Sequence, residues 1–395
     1  MIIEPKTRGF ICITSHPTGC EQNVLNQIDY IKSKGKIAGA KNVLVIGAST
    51  GFGLASRITS AFGSEASTIG VFFEKPPSEG KTASPGWYNT AAFETVAQNA
   101  GLYAKSINGD AYSKEVKAQT IKLIKEDLGE IDLMIYSLAS PVRTHPESGI
   151  RYKSTLKPIG DTFTNKTVDF HTGEVKEISI EPGTEEDIEN TIAVMGGEDW
   201  EMWISELKKE NLLSSNFKTV AYSYIGPKIT EPVYRKGTIG KAKDHLEKTA
   251  FTITNLLKDI GGKAYVSVNK ALVTQSSSAI PVIPLYISLL YKVMKEKGVH
   301  EGCIEQIQRL YSERLFLNQV PQDSEGRIRI DDLEMRSDIQ AEVSKLWEQA
   351  STETLPSIGD LEGYKNDFFH LFGFSYDQVD YDKESNEIVS IPGLQ

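Results

Sequence analysis

Short, continuous apolar segments alternate with segments of helical periodicity along the first 275 residues of this chain. Each apolar run is bounded by glycine or polar residues, which is typical of a strand buried on both faces. Strands are therefore predicted at 41–49, 67–74, 102–109, 131–140, 217–226 and 262–274, and helices at 21–35, 52–62, 113–128 and 239–259. Strands separated by helices run parallel, because the helix returns the chain to the same end of the sheet. The alternation predicts an α/β fold with a doubly wound parallel sheet.

The pattern contains no internal repeat and no low-complexity linker, so residues 1–395 are predicted to form one domain. Residues 1–40 precede the first sheet strand as an N-terminal extension. Residues 145–215 interrupt the alternation as an insertion. Within it, apolar residues alternate on both sides of the turn "HTGE", which predicts a β-hairpin at 160–183. Residues 276–395 have mainly helical patterns and predict a helical C-terminal flank.

Charge and cysteine content exclude several classes of function. The net charge of −10 argues against an extended nucleic-acid surface, because binding to phosphates requires clustered cations. The three cysteines, Cys12, Cys20 and Cys303, include no CxxC pair. They predict a reducing compartment, with neither a disulfide framework nor a metal site.

The N-terminal segment "MIIEPKTRGF" lacks the apolar core of a signal peptide. The longest apolar run, residues 279–291, is too short to span a bilayer and contains Pro281 and Pro284. We therefore expect a cytoplasmic protein without membrane insertion.

The segment "VLVIGASTGFGLASR" places Gly47, Gly51 and Gly53 between a predicted strand and a predicted helix. A pyrophosphate can approach the backbone N–H groups at such a helix start only where no Cβ collides with it. The context therefore predicts a Rossmann-type nucleotide site. The spacing is G-x3-G-x-G rather than the usual dehydrogenase pattern, and a simple tight turn is the alternative.

Glu74 ends the next strand, 21 residues beyond Gly53. A carboxylate at this position can accept hydrogen bonds from both ribose hydroxyls of NAD and would repel the additional phosphate of NADP. Lys75 follows directly and could instead bind that phosphate. We predict NADH as the cofactor, and a surface glutamate without a ligand is the alternative.

Other strand ends reach the same crevice, where open α/β sheets bind ligands. Asp110 and Ala111 are predicted near the adenine. The stretch from Ser137 to Ala139 is predicted near the middle of the cofactor, and "LVTQ" (272–275) near the nicotinamide. Position alone supports these assignments, and an ordinary loop role is equally open.

Tyr234 and Lys243 are nine positions apart in "VYRKGTIGKAK" and would lie on opposite faces of one continuous helix. Gly237 and Gly240 offer a break, with Thr238 as the expected N-cap of the following helix. Tyr234 would then fold back from the preceding loop towards Lys243. A tyrosine hydroxyl can stabilise a developing oxyanion and donate a proton, and a neighbouring lysine would lower its pKa. The alternative is a packed aromatic residue and a solvated lysine.

Many motifs together resemble those of the FabV-type enoyl-acyl-carrier-protein reductases and the related trans-2-enoyl-CoA reductases. Both groups belong to the extended short-chain dehydrogenase/reductase superfamily. The resemblance covers essentially the whole chain. It is carried by "HPTGCEQNVLNQIDY", "GASTGFGLASR", "GWYN", "YSLASP", "VMGGEDW", "AYSYIGP", the Y-x8-K pair, "NKALVTQSSSAIP" and "LYKVMKEK".

The resemblance implies reduction of the 2,3-trans double bond of an enoyl thioester by NADH, in fatty acid biosynthesis. It implies that Tyr234 donates the proton, that Lys243 binds the cofactor and that Tyr224 binds the substrate. The implied cofactor contacts are Gly47, Ala48, Ser49, Thr50, Gly51, Phe52, Phe73, Glu74, Asp110, Ala111, Leu138, Ala139, Lys243, Leu272, Val273 and Thr274.

The resemblance further implies a monomer whose partner is an enoyl thioester of acyl-carrier protein or CoA. The sequence leaves the choice of carrier open. The segment "SSSAIPVIPLYISLLY" resembles the substrate-covering helix of the family and is expected to border the acyl pocket, although an ordinary core helix would have the same pattern.

Two other functions remain as alternatives at this point. A short-chain carbonyl reductase would normally have its tyrosine and lysine closer together, with an additional serine. A non-catalytic NAD(H)-binding sensor would not require Tyr234.

Overall fold

The structure is a computed structural model that describes residues 1–9, 11–275, 277 and 280–395. Its strands are β1 (Thr7–Arg8), β2 (Ile11–Cys12), β3 (Asn42–Ile46), β4 (Ser67–Phe72), β5 (Ala104–Asn108), β6 (Ile131–Tyr136), β7 (Val142–Thr144), β8 (Arg151–Lys153), β9 (Phe163–Val168), β10 (Val175–Ile180), β11 (Leu213–Ser223), β12 (Lys263–Val268) and β13 (Arg327–Arg329).

The α-helices are α1 (Pro17–Ser33), α2 (Gly51–Ile58), α3 (Pro85–Asn99), α4 (Lys114–Asp127), α5 (Glu185–Met195), α6 (Glu198–Lys209), α7 (Thr238–Leu256), α8 (Ile283–Glu296), α9 (Cys303–Leu310), α10 (Ser337–Gln349), α11 (Leu355–Ile358) and α12 (Leu361–His370). Wider π-helical turns extend α2 through Thr59–Gly63 and α9 through Tyr311–Leu315, and a 3-10 turn at Lys258–Ile260 follows α7. In the described part of the chain, no helix combines the length and the apolar character needed to cross a bilayer.

Seven parallel strands form the central sheet in the order β13-β12-β11-β6-β3-β4-β5. The chain starts in the middle with β3, moves to one edge through β4 and β5, and then returns to build the other half. This order confirms the predicted doubly wound sheet. All six predicted strand segments contribute a strand to it.

Some elements were not predicted. Strand β13 has only three residues, two of them arginines, so it has no apolar run. Helix α3 is buried along most of its length and therefore lacks an amphipathic period. Helices α5 and α6 lie in the insertion, where we expected only a hairpin. That hairpin is confirmed, because β9 pairs antiparallel with β10 across the predicted turn.

The side chains of each central strand alternate between two cores. Val43 and Val45 of β3 pack with α1, α2 and α9, whereas Leu44 and Ile46 pack on the opposite face with α4, α6 and α7. A third core surrounds α8 and includes α10, α12 and Val168 of the hairpin. The helices therefore cover both faces of the sheet.

A buried ion pair joins α2 to α3 beside β5, at one edge of the sheet. Arg57 Nη2 lies 3.1 Å from Glu94 Oε1, and both side chains are fully buried. Arg57 also donates to Ser106 of β5, and Glu94 Oε2 accepts a hydrogen bond from the backbone N–H of Gly393. The pair therefore holds two helices, an edge strand and the C-terminal segment together.

Glu94→Gln should lower the free energy of unfolding by about 3 kcal/mol, because it leaves the charge of Arg57 buried without its partner. Urea unfolding followed by circular dichroism would measure this loss. Glu126→Gln is the matched control. It breaks the exposed pair between Glu126 and Lys122, and should change the free energy by less than about 1 kcal/mol. Equal losses in the two variants would contradict the structural role of Arg57 and Glu94.

Candidate functional site

The turn from β3 into α2 brings backbone atoms closer together than side chains would permit. A Cβ on Gly47 would lie 2.1 Å from the carbonyl oxygen of Ser137, and a Cβ on Gly53 would lie 1.9 Å from the carbonyl oxygen of Gly47. Gly47 and Gly51 also have positive φ angles of 84° and 54°. Glycine is therefore required here for both space and backbone conformation.

The N-terminus of α2 remains open to an anion. Thr50 occupies the N-cap position and its side chain makes no capping hydrogen bond. The N–H groups of the first helical turn have no acceptor within the helix. This geometry fits a pyrophosphate, with the stretch from Gly47 to Phe52 around it.

Glu74 lies beside this turn and is held by neighbouring polar groups. Ser49 Oγ donates to Glu74 Oε1 at 2.7 Å. Asn108 accepts from the backbone N–H of Glu74 at 2.8 Å and donates to its carbonyl oxygen at 3.0 Å. Burial raises the pKa of Glu74, and hydrogen bonds from Ser84 and Ser49 partly oppose that increase. The carboxylate therefore has a defined position next to the glycine turn.

Helix α3 closes tightly onto Glu74. A Cβ on Gly86, near the start of α3, would lie 2.1 Å from Glu74 Oε1. Asn89 of the same helix donates to the carbonyl oxygen of Ser49 at 3.2 Å. Phe73 points the other way and is 78% exposed, so its ring is free to contact a ligand.

Asp110 and Ala111 lie in the loop after β5. Asp110 Oδ1 accepts from the backbone N–H of Tyr112 at 2.9 Å, and the carbonyl oxygen of Ala111 accepts from Lys117 Nζ at the same distance. The predicted adenine loop is therefore held by a lysine from α4.

The motif "GGEDW", to which the sequence analysis assigned no chemistry, and the helix that continues from it support this loop. Asp199 lies 2.7 Å from Lys117 Nζ and accepts from the hydroxyl of Tyr136 at 3.0 Å, with all three side chains buried. Trp203 Nε1 donates to the carbonyl oxygen of Ala111 at 3.1 Å. An aspartate followed by two tryptophans in "EDWEMW" was the local signal of this support.

Two further predicted segments end at the same edge of the sheet. Leu138 follows β6 and contacts the glycine turn, since its Cδ2 would be 3.3 Å from a Cβ on Gly47, and Ala139 next to it is exposed. The loop from Leu272 to Thr274 follows β12. The hydroxyl of Ser277 holds this loop, because it donates to the carbonyl oxygen of Leu272 at 2.7 Å.

Tyr234 lies in the turns that precede α7, where its ring meets that of Tyr224. The ring centroids are 4.8 Å apart and the planes are almost perpendicular, at 86°. Both side chains are half-buried. Tyr224 directly follows the end of β11, so the two tyrosines lie at the edge of the sheet that also bears the glycine turn.

Lys243 extends from the second turn of α7 towards this edge. Its Nζ donates to the carbonyl oxygen of Tyr222 at 3.5 Å. The side chain keeps some solvent exposure, but burial among the surrounding residues still lowers the pKa of Lys243 to about 8, with Glu247 opposing the decrease. The break between Tyr234 and Lys243 is therefore present, as the spacing required.

Two expectations about this segment were wrong. Thr238 is the first residue of α7 and Gly237 is its N-cap, because the hydroxyl of Thr238 is engaged by the insertion and donates to the carbonyl oxygen of Thr155 at 2.7 Å. The pKa of Tyr234 is raised rather than lowered. Burial is the main cause, and the nearby carboxylate of Glu334 adds to it.

The segment expected to cover the substrate falls partly outside the described residues, which omit Ser276, Ser278 and Ala279. Its described part becomes α8, a largely buried core helix. Tyr224 and Tyr234 pack against the core that surrounds α8. The helix therefore belongs to the core and also borders the tyrosine pair.

Comparisons with known proteins cover the whole chain. Family models match the NAD(P)H binding domain of trans-2-enoyl-CoA reductase over residues 2–79, the trans-2-enoyl-CoA reductase catalytic region over 81–316 and the enoyl reductase FAD binding domain over 322–384. Strands from all three regions share the central sheet.

Individual relatives are similar over their full length. The enoyl-acyl-carrier-protein reductase (NADH) of Flavobacterium johnsoniae is 74% identical over 396 residues, with 100% of both chains covered. The trans-2-enoyl-CoA reductase (NADH) of Ruminiclostridium cellulolyticum is 60% identical over 394 residues, again with 100% of both chains covered. The crystal structure of Treponema denticola trans-2-enoyl-CoA reductase in complex with NAD superposes with a TM-score of 0.96 at 53% identity, covering 99% of this chain and 100% of that one.

Residues 322–384 do not fit a flavin, although the matching model carries that description. A flavin dinucleotide is usually bound through a glycine-rich turn between a strand and a helix. The link from β13 to α10 contains no glycine and instead carries the acidic residues Asp331, Asp332 and Glu334. These carboxylates would repel a pyrophosphate, so we derive no step through a flavin.

Glu74→Ala should weaken NADH binding by about tenfold or more and narrow the difference in Kd between NADH and NADPH. The reason is that the variant loses charge-assisted hydrogen bonds to the ribose and also loses repulsion of the 2′-phosphate. Fluorescence titrations with both dinucleotides would measure the ratio. Glu79→Ala removes an exposed carboxylate from the same loop and should leave the ratio unchanged. A ratio that also stays constant in Glu74→Ala would rule out the ribose role.

Proposed function

The chain belongs to the trans-2-enoyl-CoA reductase family, and we propose that it reduces the 2,3-trans double bond of enoyl thioesters with NADH. One observation carries this proposal. The half-buried pair of Tyr224 and Tyr234 lies with Lys243 at the edge of the sheet that also bears the glycine turn. A dinucleotide on the turn and a thioester beside the tyrosines would share one crevice.

The residues present fit NADH. The backbone from Gly47 to Phe52 would hold the pyrophosphate at the N-terminus of α2, and Glu74 would accept hydrogen bonds from the ribose hydroxyls. Phe73, the pairs Asp110–Ala111 and Leu138–Ala139, and the loop from Leu272 to Thr274 would line the rest of the cofactor.

When bound, NADH supplies a hydride to the β-carbon of the enoyl thioester. Negative charge then develops on the thioester oxygen, where the hydroxyl of Tyr234 would donate a hydrogen bond and a proton; the resulting enol would tautomerise, which places the proton on the α-carbon. The pKa of Tyr234 is raised, so the residue carries its proton at neutral pH, as a proton donor must. Tyr224 would contact the same end of the substrate.

Lys243 would bind the nicotinamide ribose through its ammonium group. With a pKa of about 8, the group is mostly charged at pH 7 and mostly neutral at pH 9. Cofactor binding through this residue should therefore depend on pH near neutrality.

The carrier, the assembly state and the location are part of the proposal. Relatives named for either acyl-carrier protein or CoA are both similar to this chain, so thioesters of both carriers are proposed substrates. We also propose a cytoplasmic monomer that acts in fatty acid biosynthesis. The carbonyl reductase and the NAD sensor receive no support from the comparisons.

Purified protein should oxidise NADH when supplied with crotonyl-CoA or the matching acyl-carrier-protein thioester, measured as the decrease in NADH absorbance. Tyr234→Phe should lower kcat by about 100-fold or more, because the proton donor is lost, and should leave the Kd for NADH unchanged. The control Tyr265→Phe removes a phenol from β12 and should keep its rate. Failure of the wild type on both thioesters would refute the proposed function. An active Tyr234→Phe enzyme would refute only the donor role.

The affinity for NADH should fall by up to about tenfold between pH 7 and pH 9. A lysine that binds only in its charged form, with a pKa of about 8, loses most of that form over this interval. Fluorescence titrations of NADH at several pH values would test this. Lys243→Arg stays charged throughout and should give a flat profile. If the affinity for NADH declined equally with pH in the wild type and in Lys243→Arg, the titrating group would be a residue other than Lys243.

A further inference from the structure

Glu334 is a fully buried carboxylate behind the tyrosine pair, in the turn between β13 and α10. Its Oε1 accepts hydrogen bonds from the hydroxyls of Tyr286 at 2.7 Å and Tyr224 at 3.3 Å. Its Oε2 accepts from the backbone N–H of Ala271 at 2.8 Å. One side chain from the C-terminal flank therefore contacts both the substrate tyrosine and the segment that follows β12.

The position of Glu334 is held by its surroundings. Gln340 of α10 donates to the backbone carbonyl of Glu334 at 2.7 Å and to the hydroxyl of Tyr286 at 3.1 Å. Both carboxylate oxygens are engaged, so rotation of the side chain would break at least one buried hydrogen bond. The carboxylate is therefore a hydrogen-bond acceptor with a fixed position for the hydroxyl of Tyr224.

The charge of Glu334 is balanced across the same site. Lys270, which is 2% exposed, donates to the carbonyl oxygen of Ala271 at 2.9 Å and lies over the ring of Tyr291. Burial raises the pKa of Glu334, the positive charge of Lys270 opposes that increase, and Asp331 on the same turn adds to it. The hydroxyl of Tyr224 is the donor of its hydrogen bond to Glu334 Oε1.

We propose that Glu334 is a positioning residue, which orients the hydroxyl of Tyr224 relative to the loop from Leu272 to Thr274 so that substrate and cofactor meet in a productive geometry. This inference rests on the proposed function. Glu334 does not touch the reacting atoms and acts through Tyr224. Loss of its contact should therefore lower kcat more than it lowers cofactor affinity, because the loop keeps its own hydrogen bond to Ser277.

Glu334→Gln is the first test, because it keeps the size of the side chain and replaces one accepting oxygen by a donor. In the wild-type background it should lower kcat by about tenfold or more, and the Kd for NADH should stay within about threefold of the wild-type value. In the Tyr224→Phe background the same change should lower kcat by about threefold at most, since the hydroxyl to be oriented is already absent. Rates with crotonyl-CoA and NADH titrations would give both quantities.

Two controls separate positioning from folding. Glu94→Gln also removes a fully buried carboxylate, at the other side of the sheet, and should lower stability without lowering kcat of the folded enzyme. If Glu334→Gln does not fold, Glu334→Asp keeps the charge but shortens the reach to Tyr224, and should show the same dependence on Tyr224.

Equal losses of kcat in the two backgrounds would overturn the proposal, as would an unchanged kcat in the wild-type background or a loss confined to NADH affinity. An inactive wild-type enzyme would instead refute the proposed function.

Discussion

The close approach of backbone to backbone after β3 is the constraint on which the rest of the site depends. Gly53 lies against the carbonyl of Gly47, and Gly47 lies against the carbonyl of Ser137, with no space for a Cβ at either contact. This packing aims the start of α2 at the crevice and brings the end of β6 beside it. Because the sheet is parallel, every loop that follows a strand reaches the same edge, so one tight turn determines where a dinucleotide can lie.

The tyrosine pair and the carboxylate behind it differ in burial. The two tyrosines are half-buried and so can meet a substrate, whereas the carboxylate behind them is closed to solvent. Low polarity around the hydroxyl of Tyr234 keeps it protonated, and the hydrogen bond from Tyr224 to Glu334 fixes the neighbouring ring. A residue from a distant part of the chain therefore holds Tyr224 in place.

Sequence reasoning succeeded where the determining interactions are local or periodic. Buried parallel strands have continuous apolar runs, which is why six of the seven sheet strands were predicted, and the glycine turn was visible from its position between a strand and a helix. Sequence reasoning failed where contacts with residues distant in the chain determine the local structure. Helix α3 is buried on too many sides to be amphipathic. The hydroxyl of Thr238 donates a hydrogen bond to the carbonyl oxygen of Thr155 and does not cap α7. Glu334 had no local signal at all, because its partners Tyr224 and Ala271 lie 110 and 63 positions away.

The hydrogen bond from Gly393 to Glu94 joins positions 299 apart in the sequence. During translation, α3 and β5 leave the ribosome long before the segment that completes their edge. The carboxylate of Glu94 therefore lacks its hydrogen bond from the backbone N–H of Gly393 until nearly the whole chain has been synthesised. Contacts of such high sequence separation form slowly, because a long loop has to close first. The half of the sheet that contains β3, β4 and β5 should accordingly reach its final packing only after the C-terminal segment around Gly393 has been synthesised.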